Sequence, residues 1–388
     1  MPSQTWTLLD DTPGTERVAD CELEVKTKTG GVSPLKARWE TLHSGLSQGV
    51  NLLIIENDKC SVSIIPQRGM GIWKALCAGQ EFGWNSPVRG PVHPGFVPLM
   101  EPSGLGFLDG FDELLTRCGL ESNGAPEFDA DHKLKYPLHG RIANKAAYRL
   151  KVNIDPEAGE IAVTGMVEEA RFHFQKLRMA TTITMNLGDC GVHIVDEVTN
   201  FSASPGETQM LYHVNFGPPL LGAGAKIVAP VKKIVPRNLH AAKSIDSWDS
   251  YPAPVAGTEE TVYFFELHAD AASRTQALLK SADENLGVSM SWDTETLPYF
   301  TLWKNPTAEA DGYVTGLEPG TNFPNPRSFE GKHNRFVKLA PEQTVRYDLT
   351  LEFLTTKEQV ASAESQVNGI AAGRKPQVLT SPQPDWCS

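Results

Sequence analysis

The clearest pattern along the chain is alternation. In TVRYDLTLEF, Val345, Tyr347, Leu349, Leu351 and Phe353 fall on one side of a period-two repeat and polar residues on the other, which predicts a half-buried strand. VNLLIIE followed by CSVSIIP across Asn57–Lys59, and KLRMATTITMNL followed by GVHIVDEVTNF across Gly188-Asp189-Cys190, read as antiparallel hairpins. Helical spacing is confined to two places. LDGFDELLTRCGL (108–120) suits a short turn or helix, and KEQVASAESQVNGIAAG carries apolar residues three and four apart before a glycine stop. Strands in runs without interleaved helices predict an all-β chain, a large antiparallel β-sandwich with few short helices.

The length of 388 residues leaves room for one large sandwich or two average domains. Prolines and glycines are spread along the chain and cluster only at NSPVRGPVHPGFVP and FPNPR, so no linker divides it. The expected organisation is an arm over 1–45 packed on the sandwich, a sandwich domain over 46–356, and a C-terminal helix with a Pro-rich tail, extended or loosely ordered, over 357–388.

The formal net charge of −12 argues against a nucleic-acid partner, which requires clustered Lys and Arg. No apolar run approaches the roughly 18 residues that span a bilayer, and the first residues lack a secretory pattern, so the expected address is cytoplasmic with no membrane partner. Six scattered cysteines form no C-x-x-C pair and read as reduced thiols. The remaining histidines show no H-x-H or H-x-x-x-H spacing, so no metal is expected.

Three segments mix polar residues with Gly, Pro or aromatics in a way a packed strand does not need: PLHGRIANKAAYRL (137–150), MLYHVNFGPPLL (210–221) and GYVTGLEPGTNFPNPR (312–327). A histidine and a glutamate brought together from such segments can act as general acid and base. Taken singly, His213 is a strand histidine that could be structural, and Glu318 a turn carboxylate before Pro319. Arg68, Arg117 and Arg141 lie beside glycine or cysteine in segments that read as buried strand or turn. A buried guanidinium must face a carboxylate or a wet cleft, so they either clamp an anionic ligand or pair with Glu101, Asp109, Asp112, Glu113 or Glu121. Trp73, Trp84, Phe107, Phe216 and Trp303 suit the core or the face of a bound ligand.

The order and spacing of RGM-IW, LTRCGL and LHGRI, followed by YHVNFG and VTGLEPG, resemble the galactose-mutarotase-like superfamily over roughly residues 50–355. The likeness is closer to its aldose-1-epimerase-related, DUF4432-like branch of largely uncharacterised function. The resemblance implies a β-supersandwich that interconverts sugar anomers by acid–base ring opening without a cofactor, the sugar being an anionic one if the three arginines clamp it. In it His213 is the acid toward the ring oxygen and Glu318 the base toward the anomeric hydroxyl. His139, Arg141, Arg68, Arg117, Asn215 and Trp303 are the candidate substrate contacts. The superfamily's sugar-gripping aspartate has only Asp246, Asp249 and Asp293 as rough positional candidates. The expected partner is a small carbohydrate, and the sequence is silent on oligomeric state. Two alternatives stay open: a carbohydrate-binding or sensing protein without turnover, and a metal-dependent sugar isomerase using His139, His213 and Glu318.

Overall fold

In a computed structural model, residues 3–26 and 30–388 are described; positions 1, 2 and 27–29 of the expected arm lie outside them. The alternating segments become two large sheets, one of nine strands and one of fourteen, stacked as a β-sandwich. TVRYDLTLEF is the strand Thr344–Leu354, with Tyr347, Leu349, Leu351 and Phe353 buried. The hairpins form across Asn57–Lys59 and Gly188–Cys190 in antiparallel register, Leu53 opposite Ile64 and Ile183 opposite Ile194. Between the sheets the inward residues of both interdigitate. Trp39, Ile55, Val62 and Ile72 of the larger sheet share one cluster with Val152, Val163, Ile194 and Leu351 of the smaller.

The N-terminal segment supplies edge strands. Gln4–Leu9 pairs with Arg149–Asp155 at the end of the nine-stranded sheet, while Cys21–Lys26 and Val32–Thr41 extend the larger one. The C-terminal helix runs Lys357–Ala371, opened by a capping box in which Gln359 N donates to Thr356 Oγ1 at 3.3 Å and Thr356 N to Gln359 Oε1 at 3.2 Å. It buries Val360, Ala363 and Val367 against Leu278 and Leu354. No helix among the described residues is long and apolar enough to cross a membrane.

One local expectation changes and one is resolved. The 108–120 segment forms only a 3-10 turn, Gly106–Gly110, and then becomes a strand, Leu115–Leu120, buried on both faces. Continuous burial removes the alternation by which such a strand is recognised. The last residues take the extended rather than the loose of their two expected forms. Gln377–Val378 pairs in parallel with Val231–Pro236, Asn325 Nδ2 donates to Trp386 O at 2.9 Å, and Trp386, 5% exposed, packs on Phe323.

Candidate active site

Four adjacent strands of the larger sheet carry the site: Leu115–Leu120, Gly206–Phe216, Val314–Gly320 and Tyr299–Asn305, in that order. The register that pairs Leu211 with Gly320 and Val214 with Leu317 sets His213 opposite Glu318. Glu318 therefore sits within a strand rather than in a turn, its other neighbour being Thr301. Pro319 is tolerated beside it although it brings no amide hydrogen to the ladder. His213 Nε2 lies 3.2 Å from Glu318 Oε1, with the residues 4% and 2% exposed.

The ring of His213 is fixed from behind. Asn215 Nδ2 donates to Glu113 O at 3.0 Å and to His213 O at 3.3 Å, which turns its Oδ1 toward His213 Nδ1 at 2.6 Å. Nδ1 then carries the hydrogen, and Nε2 is left to exchange a proton with Glu318. Burial pushes the imidazole well below its ordinary pKa, and nearby His139 adds to this while the Asn215 hydrogen bond opposes it. Burial likewise pushes the Glu318 carboxyl well up, Glu260 adding and Arg237 opposing. Both shifts disfavour separate charges, so the pair holds one proton between them.

Space for the pair comes from a missing side chain. A Cβ on Gly316, two residues before Glu318 on the same face, would stand 2.7 Å from Glu318 Oε1 and 2.8 Å from His213 Cε1.

His139 enters from a loop whose backbone it helps to define. It takes a left-handed conformation, φ 58°, followed by Gly140 at φ 74°. At Gly140 a Cβ would come within 1.9 Å of Ser122 O, which accounts for glycine after the histidine. His139 Nδ1 is 3.1 Å from Asn123 O, so Nδ1 donates and Nε2 faces the cavity as an acceptor. Its ring stands edge-on to His213 at 5.2 Å, and burial lowers its pKa to about 4.

These groups form the floor of a cavity of about 550 Å³. Trp84, Phe107, Phe111 and Trp303 wall it. Phe111 and Trp303 both stand edge-on to His213, at 5.1 and 5.4 Å. At the rim Glu260 accepts from Trp303 Nε1 at 2.6 Å and from Arg237 Nη2 at 3.1 Å. Arg237 and Glu260 carry no local sequence signal. They meet only because the strand Val231–Pro236 pairs with Thr261–Leu267, leaving one residue just past the first strand and the other just before the second.

The three arginines do not reach the cavity. Arg68 is fully buried, with Nε on Glu113 Oε1 at 2.7 Å, Nη2 on Gly110 O at 2.9 Å and Nη1 on Asn144 Oδ1. Arg117 is also fully buried, pairing with Asp196 at 2.6 Å and donating to Met70 O at 2.6 Å; Asp196 further accepts from Thr181 and Tyr212. Each guanidinium needs a carboxylate to be buried at all, and these carboxylates sit in the core. Arg141 lies in a separate groove, 3.8 Å from Met100 Sδ. Asn215 acts on His213 from behind, and Asp246, Asp249 and Asp293 do not line the cavity. Among the described residues no three His, Cys, Asp or Glu side chains are grouped to hold one metal ion.

Comparison with known families places residues 47–353 in the one described as "Domain of unknown function (DUF4432)". The chain belongs to this family. It is 32% identical, over 99% of both chains and with a TM-score of 0.93, to a crystal structure described as a "putative aldose 1-epimerase" from Klebsiella pneumoniae. A galactose mutarotase-like protein from Clostridium acetobutylicum (14% identity, 83% of this chain and 99% of that one, TM-score 0.56) shares the fold. So does a galactose 1-epimerase from Lactobacillus acidophilus (12%, 82% and 98%, 0.53). No curated protein matches the chain.

Proposed function

We propose that this DUF4432 protein is an aldose 1-epimerase that interconverts the anomers of a neutral sugar. The observation that carries the reading is the buried His213–Glu318 contact at 3.2 Å, on the floor of a cavity of about 550 Å³. The likeness to aldose 1-epimerase-type structures supports the same class.

The chemistry needs one proton taken and one given. With the shared proton on His213, the Glu318 carboxylate removes the hydrogen of the C1 hydroxyl while His213 Nε2–H donates to the ring oxygen. The C1–ring-oxygen bond breaks, C1 becomes an aldehyde carbon, and rotation about C1–C2 followed by the reverse transfers closes the other anomer. Total charge on the pair is unchanged in either direction, which suits a dry floor. His139 Nε2 and the Arg237–Glu260 rim hold hydroxyls around the ring, and Trp303, fixed by its bond to Glu260, covers one face.

A neutral substrate follows from the lining. Glu260, Asp311 and Glu318 face Arg237 alone, and Arg237 is already paired with Glu260, so an added carboxylate or phosphate would find no free cation there. Exchange spectroscopy between the anomers of neutral aldoses tests the assignment. Glu318→Gln and His213→Asn are each expected to slow exchange by about 10²-fold or more, the ordinary contribution of one positioned acid or base. Exchange at the uncatalysed buffer rate with the parent protein would refute it.

A further inference from the structure

One wall of the cavity has no part in the proton transfers. The 3-10 turn Gly106–Gly110 is anchored by Phe107, fully buried, and leads into Phe111, whose ring lies 5.1 Å from those of Phe107 and Trp84. From this base Leu105 and Leu108 line the cavity, yet they are 44% and 45% exposed. Aliphatic side chains held open toward a cavity by a rigid aromatic base mark a surface that a ligand covers.

The same wall offers little to a hydroxyl. Ser86 Oγ already donates to Phe111 O at 2.7 Å and accepts from Val88 N at 3.0 Å. Pro126 and Leu138 complete the apolar surround on this side, while Pro87 and Val88 lie toward Gly312 and the Asp311 carboxylate. Of the groups that grip polar substrate atoms in the proposed reaction, Arg237 and Glu260 stand at the rim, and His139, edge-on to Phe107 at 5.0 Å, borders the wall with its one acceptor, Nε2, given to a ring hydroxyl.

Ring geometry directs one substituent to this wall. The carbon that bears the exocyclic C6 group is bonded to the ring oxygen, and the ring oxygen faces His213. Glu318, which takes the C1 hydroxyl, lies on the strand to one side of His213, and Phe111, its ring 5.1 Å from that of His213, leads into the strand on the other side. C6, across the ring oxygen from C1, therefore projects toward Phe111, Leu108 and Leu105. A hydroxyl carried on C6 would lose water there without gaining a partner, whereas a methyl fits.

We propose that the substrate is a neutral 6-deoxyhexose whose methyl group rests on Leu105 and Leu108. This rests on the reading of the cavity as a sugar-anomer site. Apolar pockets discriminate against an added hydroxyl by up to about 10²-fold, and a wall open on one side should give about tenfold.

The test uses matched sugars that differ only at C6: D-galactose against 6-deoxy-D-galactose, D-glucose against 6-deoxy-D-glucose, and L-mannose against 6-deoxy-L-mannose. Binding is read by tryptophan fluorescence in the full-length parent and in Glu318→Gln, and turnover by anomer exchange in the parent. In at least one pair the 6-deoxy sugar should bind about tenfold more tightly and exchange with about tenfold higher kcat/KM. Leu108→Asn, at a position exposed enough to leave folding intact, should bring that ratio to about one. Equal or weaker binding of the 6-deoxy member in all three pairs overturns the proposal, as does a preference that Leu108→Asn leaves unchanged. Tighter binding of the 6-deoxy sugar without exchange in the parent would sustain this specificity and refute the enzymatic reading instead.

Discussion

Gly316 is the position at which the smallest chemical change should do the most damage. A methyl group there would stand 2.7 Å from Glu318 Oε1, 2.8 Å from His213 Cε1 and 3.2 Å from His213 Nδ1, all well inside van der Waals contact. Neither ring nor carboxyl can stay in place. His213 is bounded by Phe111 and Trp303 and tied to Asn215, so Glu318 is the freer of the two and must swing away. Its contact with Nε2 is 3.2 Å, at the long end of the range for proton transfer, and a displacement of about 0.7 Å removes it. Gly316→Ala should therefore slow anomer exchange by about 10²-fold. The folding cost should stay within the roughly 1–3 kcal/mol typical of one surplus methylene in a packed interior. Exchange spectroscopy and urea unfolding on the same preparation read the two effects separately. Gly369→Ala is the control: its Cβ meets nothing within 4 Å in the C-terminal helix, so it should leave exchange unchanged and add about 0.5–1 kcal/mol of stability. A Gly316→Ala protein that exchanges anomers at the parent rate would refute the space argument.

Other expectations concern the buried charges. Asp196→Ala strands Arg117 in the core and removes an acceptor from Tyr212 and Thr181, so it should cost about 3–5 kcal/mol in denaturant unfolding. Burial raises the pKa of Glu169 from 4.5 to about 7, against the opposing hydrogen bonds it accepts from Leu120 N and Glu121 N. The folded protein then binds a proton the unfolded chain has released, so this contribution is whole below pH 4.5 and is lost as pH rises to about 7. Glu169→Gln should flatten that part of the stability curve. His139 has the opposite sign: with its pKa lowered from 6.5 to about 4, its contribution is present above pH 6.5 and lost as pH falls through 4. His139→Gln should remove that acid-side loss in the same titration. The exchange rate itself should not fall as pH rises through 6.5, where an ordinary imidazole loses its proton, because the His213–Glu318 pair retains its shared proton.

What the sequence discloses divides along physical lines. Period-two alternation exposes the strand Thr344–Leu354 and both hairpins because each has one face in the core and one outside. The C-terminal helix is legible from its apolar spacing, and its capping box is local. Leu115–Leu120 and Val314–Gly320 are buried on both faces and carry Gly or Pro within them, at Gly119, Gly316 and Pro319, so their strand character is hidden; Glu318 thus reads as a turn residue. The three arginines show the limit of local context. Burial of Arg68 and Arg117 is evident in the sequence, but whether the partner is Glu113, Asp196 or a ligand depends on contacts 45 and 79 residues away. Arg237 and Glu260 meet across a strand pair and give no local sign at all. Leu105 and Leu108 carry no local sign of a site, and their openness toward the cavity comes only from the turn that holds them.

Whether His213 and Glu318 act as one acid–base pair is read by a double-mutant cycle on anomer exchange. If the two side chains share a single proton, Glu318→Gln and His213→Asn should each slow exchange by about 10²-fold or more, and the double variant should be little slower than either alone. Losses that multiply across the two sites, or single variants that keep the parent rate, would contradict the account.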